Sequence, residues 1–100
     1  MKTYVNKGIS YSVGCNAEEN WKLIGLADKE EYWVHLKGYT SAHVIIHIDK
    51  VLPDDIEYAH ELILNHTKKA PRAAEVIYSK VKNIKKGSKV GEVIIIKYEK

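Results

Sequence analysis

The sequence predicts an α+β domain in which a mostly antiparallel, curled sheet of about six strands combines with one long and one short helix. Three observations predict this class. One hundred residues with 45% hydrophobic content are enough for one core and too few for two. Runs of alternating side chains, typical of strands, outnumber segments of helical periodicity. Residues 1–100 contain no repeat or linker, so we expect a single domain.

The first predicted elements are a hairpin and a short helix. Residues 3–13 predict two strands, because Asn6 and Gly8 in the turn between them tolerate positive φ. Asn16 can then cap a helix over residues 17–24, with Glu19 three positions later reaching back to the Asn16 amide.

Two more strands and the long helix follow. Residues 32–36 and 42–48 alternate and are joined by a turn at 37–41. The long helix begins at Pro53, carries two aspartates in its first turn and keeps helical spacing to Ala70, before Pro71 stops it.

The last two strands are predicted at residues 73–81 and 92–98, with a basic loop at 82–91 between them. The second contains an unbroken aliphatic run at 93–96. Such a run is typical of a strand covered on both sides.

Positive charge is concentrated in the last third of the chain. Between Lys68 and Gly91 there are eight basic residues and one acid, Glu75, so this segment carries +7. Because the whole chain carries +3, the remainder carries −4. A polyanion would be drawn to this segment; nucleic acid is the favoured partner and an anionic membrane surface the weaker one.

The cellular compartment is predicted from the lack of a membrane span, a signal peptide and paired cysteines. No apolar run reaches the roughly 18 residues that span a bilayer, and the first residues lack the apolar centre of a signal peptide. The single cysteine, Cys15, excludes an internal disulfide and a structural zinc site with paired thiolates. We therefore expect a cytoplasmic protein.

Histidines on the central strands allow more than one interpretation. Trp33, His35 and Lys37 share one strand face, and His43 shares a face with His47 on the next strand. A metal site is disfavoured, since His43 and His47 lie roughly 13 Å apart along a strand and His35 with either one lacks a third ligand. The alternative is that His35 and His43 are half-buried and hydrogen-bonded in the sheet.

Catalysis is the second interpretation of the same residues. A histidine pair could act as acid and base, and a cysteine beside a helix start could be activated. No acid or serine stands near them in a recognisable catalytic arrangement, and there is no Gly-rich phosphate loop, so we expect no enzyme and no cofactor. An enzyme acting on nucleic acid would need His35 and His43 together in an open cleft.

Polyanion binding is the third interpretation. Hydrogen-bond donors on the histidine face would lie beside ammonium groups of the basic loop, which contact phosphates. The candidate nucleic-acid-binding residues are His35, Lys37, Ser41, His43, Lys82, Lys85, Lys86 and Lys89. Tyr32 and Tyr39 are candidates for stacking on bases, whereas Trp21 and Trp33 are expected in the core.

Four blocks of the sequence resemble the NFACT-R domain, the RNA-binding module of the NFACT proteins of ribosome-associated quality control. These are "GCNAEEN", "EEYWVHLKGYTSAHVII", "PDDIEYAHEL" and "EVIYSKVKNIKKGSKVGEVII", in family order and over nearly the whole chain. The Ser-Ala-His form of the second block is similar to the small stand-alone branch of the family. The chain departs from the pattern at Cys15 and His47, where members usually carry a permanent cation.

The resemblance implies binding of tRNA or ribosomal RNA, with the ribosome as a further partner, and no catalysis. We expect neither a small-molecule substrate nor a membrane partner. A rival from another class is a protein-interaction module that docks on a ribosomal or quality-control protein without RNA contact. That module would show an exposed apolar patch around Tyr32, Ile45 and Tyr39.

Overall fold

The computed structural model describes residues 1–96, which form seven strands, two α-helices and a 3₁₀ turn at Val81–Asn83. The strands are β1 (Lys2–Asn6), β2 (Ile9–Gly14), β3 (Tyr32–Leu36), β4 (His43–Ile46), β5 (Val76–Lys80), β6 (Ile84–Lys86) and β7 (Val93–Ile95). The helices are α1 (Ala17–Leu26) and α2 (Pro53–Asn65). The predicted α+β class, with one short and one long helix in one domain, is confirmed.

Five strands form an antiparallel sheet in the order β1-β2-β4-β3-β5, and β6 pairs with β7 in a separate hairpin. β1 and β2 are joined by a two-residue turn in which Lys7 and Gly8 both have positive φ, 53° and 79°. Positive φ at both central residues is the requirement of a type I′ turn. Lys7 therefore has the positive φ that the sequence led us to expect at Asn6.

The five-stranded sheet is covered on both faces, which produces two cores. Helix α2 buries one face: Ala59 and Ile63 pack with alternate strand residues such as Val34 and Val44. Trp33 and its neighbours on the other face pack under α1 and the β6–β7 hairpin. The histidine-bearing face is thus largely an interior layer, and only one end of it stays open.

Two predictions are wrong, one about where the long helix ends and one about the basic loop and the strand that follows it. Helix α2 ends at Asn65, and His66 caps it, five residues before the predicted end at Ala70. The predicted basic loop contains strand β6, and the last strand pairs with β6 outside the main sheet.

The aliphatic run at 93–96 is not covered on both sides. Val93 and Ile95 pack on the second core, whereas Ile94 lies opposite Lys85 in register and is exposed. Residues 97–98 of the predicted strand lie outside the described residues. None of the helices in residues 1–96 has the length and apolar content needed to cross a membrane.

Candidate nucleic-acid interface

A cleft of about 810 Å³ opens at the end of the sheet where β3 finishes and β4 begins. Four segments form its walls: the start of α1, the β3–β4 turn, the residues after α2, and the β6–β7 turn. Among the predicted site residues, His35, Ser41, His43 and Lys89 line this cleft. The remaining four, Lys37, Lys82, Lys85 and Lys86, lie outside its lining.

Three aromatic rings form the floor of the cleft. His35 and His43 face each other across β3 and β4, with ring centroids 4.4 Å apart and an angle of 66° between the ring planes. Trp33 stacks on His35 at 5.6 Å between ring centroids and donates its Nε1–H to Nδ1 of His43 at 3.0 Å. Trp33 is 1% exposed and His43 is 4% exposed, so both are set in the sheet while His35 is half-buried.

The indole hydrogen bond determines which nitrogen of His43 carries the proton. An indole N–H only donates, so Nδ1 of His43 accepts and the neutral ring carries its hydrogen on Nε2. Burial lowers the pKa of His35 to about 4. Burial and the neighbouring His35 together lower the pKa of His43 to about 3. Both rings are therefore uncharged at neutral pH.

The β6–β7 turn that forms one wall is organised by Glu92. Its carboxylate accepts hydrogen bonds from the Ser88 amide at 2.8 Å and the Ser88 hydroxyl at 3.3 Å, and its pKa is lowered mainly by the Ser88 backbone bond. The Glu92 carbonyl accepts the indole N–H of Trp21 at 2.8 Å. The turn is thus tied to α1, and Lys89 is held at the rim of the cleft.

Two polar residues of the walls have local structural roles. Asn16 caps α1, its Oδ1 accepting the Glu19 amide at 2.9 Å as predicted, although Glu19 reaches back to the Cys15 amide instead of that of Asn16. The Ser41 hydroxyl donates to the Ala42 carbonyl and accepts the Leu36 amide. Its hydrogen-bonding capacity is therefore used to shape the β3–β4 turn.

Cys15 and His66 meet at the mouth of the cleft. Cys15 Sγ lies 3.8 Å from Nδ1 of His66, and Nε2 of the same ring is 2.7 Å from the Tyr4 hydroxyl. Cys15 is exposed. Sequence reasoning did not pair these residues, since they come from different elements and are 51 positions apart.

The lysines divide into two groups. Lys82 contacts the Glu30 carboxylate at 3.0 Å, as does Lys80 at 2.9 Å, at the end of β3 and β5 opposite the cleft. Lys85, Lys86 and Lys89 lie on the β6–β7 hairpin, and Lys68 lines the cleft from the segment after α2. Within residues 1–96, none of these four has an ion pair.

Lys68 was counted in the basic segment but was not predicted as a site residue. The path of the chain after α2 places it in the lining of the cleft, which also includes Lys89. Lys86 lies over the Trp21 ring, 5.6 Å from Nζ to the ring centroid, which keeps its charge beside α1.

Other candidate residues have structural partners. His47 contacts two side chains. Its Nδ1 lies 2.9 Å from the Glu31 carboxylate, and its Nε2 lies 2.7 Å from the Ser12 hydroxyl. Tyr32 is buried in the α2 core, whereas Tyr39 is 42% exposed and lines the cleft. Because Tyr32 and Ile45 are both buried, the apolar patch predicted for the rival protein-interaction module does not form.

Residues 1–96 contain no group of three or more His, Cys, Asp and Glu residues that could hold a metal ion.

The fold resembles a solved structure, that of the C-terminal region of the fibronectin/fibrinogen-binding protein from Streptococcus suis. The TM-score is 0.82 and the sequences are 26% identical. The match covers 97% of this chain and 41% of that chain, so this chain spans less than half the length of the neighbour. No family model and no curated protein matches the chain.

Proposed function

We propose that this chain is an RNA-binding module of the NFACT-R type. It acts in the cytoplasm on tRNA or ribosomal RNA, in translation or ribosome-associated quality control, with the ribosome as a further partner. It carries out no catalytic step. The observation that supports the proposal is a group of exposed lysines that form no ion pair within residues 1–96, Lys68, Lys85, Lys86 and Lys89, which we call the lysine rim.

The lysine rim suits phosphate contacts for a simple electrostatic reason. An ammonium group that already faces a carboxylate must break that pair before it can bind phosphate, as Lys82 would have to leave Glu30. Lys68, Lys85 and Lys86 have no such pair within residues 1–96, and Lys89 forms none at ion-pair distance although its charge helps to lower the pKa of Glu92. Binding would release counterions from the RNA and would therefore depend on salt.

The floor histidines support a binding role. An acid–base catalyst is most effective when its pKa lies near the working pH. The pKa values of His35 and His43, about 4 and about 3, lie well below neutrality because burial, partial for His35 and nearly complete for His43, disfavours the charged ring. The pair therefore meets in a cleft, as a nucleic-acid enzyme requires, but is poorly matched to proton transfer at pH 7.

Charge reversal at the hairpin tests the proposal. The variant with Lys85→Glu and Lys86→Glu should bind tRNA at least about tenfold more weakly, because it removes two phosphate contacts and adds two repulsive charges. Binding is measured by fluorescence anisotropy at fixed salt. The control carries Lys29→Glu and Lys50→Glu, two exposed lysines near the opposite end of β3 and β4. Equal weakening by both variants would show that only net charge matters and would contradict the proposed site.

A second candidate function is docking on a protein. Val90 is 53% exposed and Ile94 is 43% exposed, so the hairpin presents apolar side chains beside its lysines. The neighbour of similar fold is named for binding the proteins fibronectin and fibrinogen. This candidate predicts that Val90→Ser with Ile94→Ser abolishes binding to a ribosomal or quality-control protein, while the glutamate variant leaves it unchanged.

A further inference from the structure

We infer that the cleft receives one unstacked base of a single-stranded RNA segment, while the lysine rim holds the phosphates on either side. This inference rests on the proposed function and adds which part of the RNA enters the protein. The base would lie against the ring of His35, with Tyr39 at the entrance. The backbone would stay outside.

The dimensions of the cleft suit a small planar group. Its volume of about 810 Å³ falls in the range of roughly 300–1,000 Å³ that is usual for small-ligand pockets. A base-sized ring system fits such a volume, whereas an RNA duplex does not. The cleft is closed below by the sheet and on its sides by four chain segments.

The floor is chemically suited to a base and unsuited to a phosphate. His35 and His43 are neutral at pH 7, and Trp33 carries no charge, so the floor offers an anion no compensation for lost hydration. The half-buried ring of His35 and the exposed ring of Tyr39 do offer a stacking surface, which tolerates any base because every base has a π-face. The cations lie at the rim, at Lys68 and Lys89.

The cleft also has unused hydrogen-bonding capacity. His43 keeps a hydrogen on Nε2, and no partner for that nitrogen is found in residues 1–96. Asn20 also lines the cleft, but its Oδ1 is buried against Gly14 without a hydrogen-bond partner and is not open to a ligand. The Nε2–H of His43 is one donor that an acceptor on the edge of a base can meet.

Base removal in the RNA tests the inference on the unaltered protein. The probes are a ten-nucleotide oligouridylate and the same ribose-phosphate chain without bases, which carry equal charge. We expect the abasic chain to bind at least about tenfold more weakly, since stacking of a single base accounts for such a difference. Both affinities are measured at the same salt concentration.

The single cysteine allows the cleft to be blocked without a core substitution. Cys15 lines the cleft and is exposed, so a bulky maleimide on Sγ should fill the mouth. We expect the labelled protein to bind oligouridylate at least about tenfold more weakly, while its affinity for the abasic chain stays the same. The matched control is Cys15→Ser treated with the same maleimide, which should bind like the untreated protein.

The base-removal and cysteine-labelling experiments have three distinguishable outcomes. Loss of affinity on base removal and on labelling would support the base-binding cleft. Salt-dependent binding of both probes with equal affinity, unaffected by the label, would overturn the cleft and leave the proposed function standing. Failure of tRNA, oligouridylate and the abasic chain to bind at all would overturn both.

Discussion

At the scale of single residues, position in the sheet decides the charge of the two floor histidines. His35 and His43 face each other on adjacent strands beneath α1 and the hairpin, so water reaches them poorly. The protonated ring is disfavoured there, which is why both pKa values are lowered. Residue type alone would suggest two groups that are partly charged near neutral pH.

This burial predicts an acid-sensitive fold. In the unfolded chain both histidines take up a proton near pH 6.5, whereas in the folded chain they do so only near pH 4 and pH 3. The unfolded state therefore binds more protons below pH 6.5, and stability falls as the pH falls through that value. Between pH 7 and pH 5 the free energy of unfolding should drop by roughly 2 kcal/mol for each histidine, measured by urea unfolding.

The His35→Phe variant provides the comparison, because His35 makes no hydrogen bond through its side chain within residues 1–96 and phenylalanine keeps a ring beside Trp33. It should lose about half of the pH dependence. An unchanged dependence would show that other groups cause the acid sensitivity. The carboxylates with lowered pKa, such as Glu30 and Glu92, titrate below this pH window.

Single-residue reasoning from the sequence succeeded where local geometry is decisive. Alternation placed Trp33 and His35 on one face, and the spacing from Asn16 to Glu19 predicted the α1 cap. It could not show that His43 accepts the Trp33 indole proton, because that bond depends on the register between β3 and β4. It also could not separate Lys82 from Lys89, since Glu30 comes from a distant loop.

At the scale of elements, the wall of the cleft depends on how the β6–β7 turn docks on α1. Trp21 donates to the Glu92 carbonyl, and Gly91 lies against the first residue of the helix. Gly91 has φ +89°, and a Cβ at this position would lie 2.7 Å from Cβ of Ala17. Both the backbone conformation and the lack of space therefore require glycine.

Two glycine substitutions should have opposite effects on stability. Gly91→Ala should lower the free energy of unfolding by at least about 1–2 kcal/mol, because alanine disfavours positive φ and would push the turn away from Ala17. Gly25→Ala lies in α1, where, among residues 1–96 outside the helix's own backbone, a Cβ would come within 4 Å of the flexible Nζ of Lys86 alone, at 3.6 Å. It should raise the free energy of unfolding by up to about 0.5–1 kcal/mol through helix propensity. Urea unfolding measures both, and equal effects would contradict the docked turn.

The hairpin is also where the sequence was misleading. An aliphatic run at 93–96 usually marks a strand buried on both faces. Here the strand pairs with β6 in a separate hairpin, so one face covers the second core and the other, with Ile94 and Lys85, meets solvent. Periodicity cannot reveal that difference, because it depends on which sheet accepts the strand.

At the scale of the whole molecule, ion pairs separate the basic residues into two regions. At one end of the sheet, Glu30 compensates Lys80 and Lys82. At the other end, none of the four lysines of the lysine rim has an ion pair within residues 1–96, and Lys68 and Lys89 line the cleft, whose floor rings are neutral. A net charge of only +3 therefore leaves one local region with positive potential.

The number of lysines in the rim gives a quantitative prediction for RNA binding. Each phosphate contact to a single strand contributes about −0.7 to the slope of log affinity against log salt, so four contacts predict a slope near −3. The variant with Lys85→Glu and Lys86→Glu should reduce the slope to about half, because two contacts remain. The variant with Lys29→Glu and Lys50→Glu should keep the full slope, since those side chains lie away from the rim. Anisotropy titrations between about 50 and 200 mM salt measure all three slopes. A flat response of the unaltered protein would mean that phosphate contacts do not hold the RNA, and the lysine rim would then need another partner.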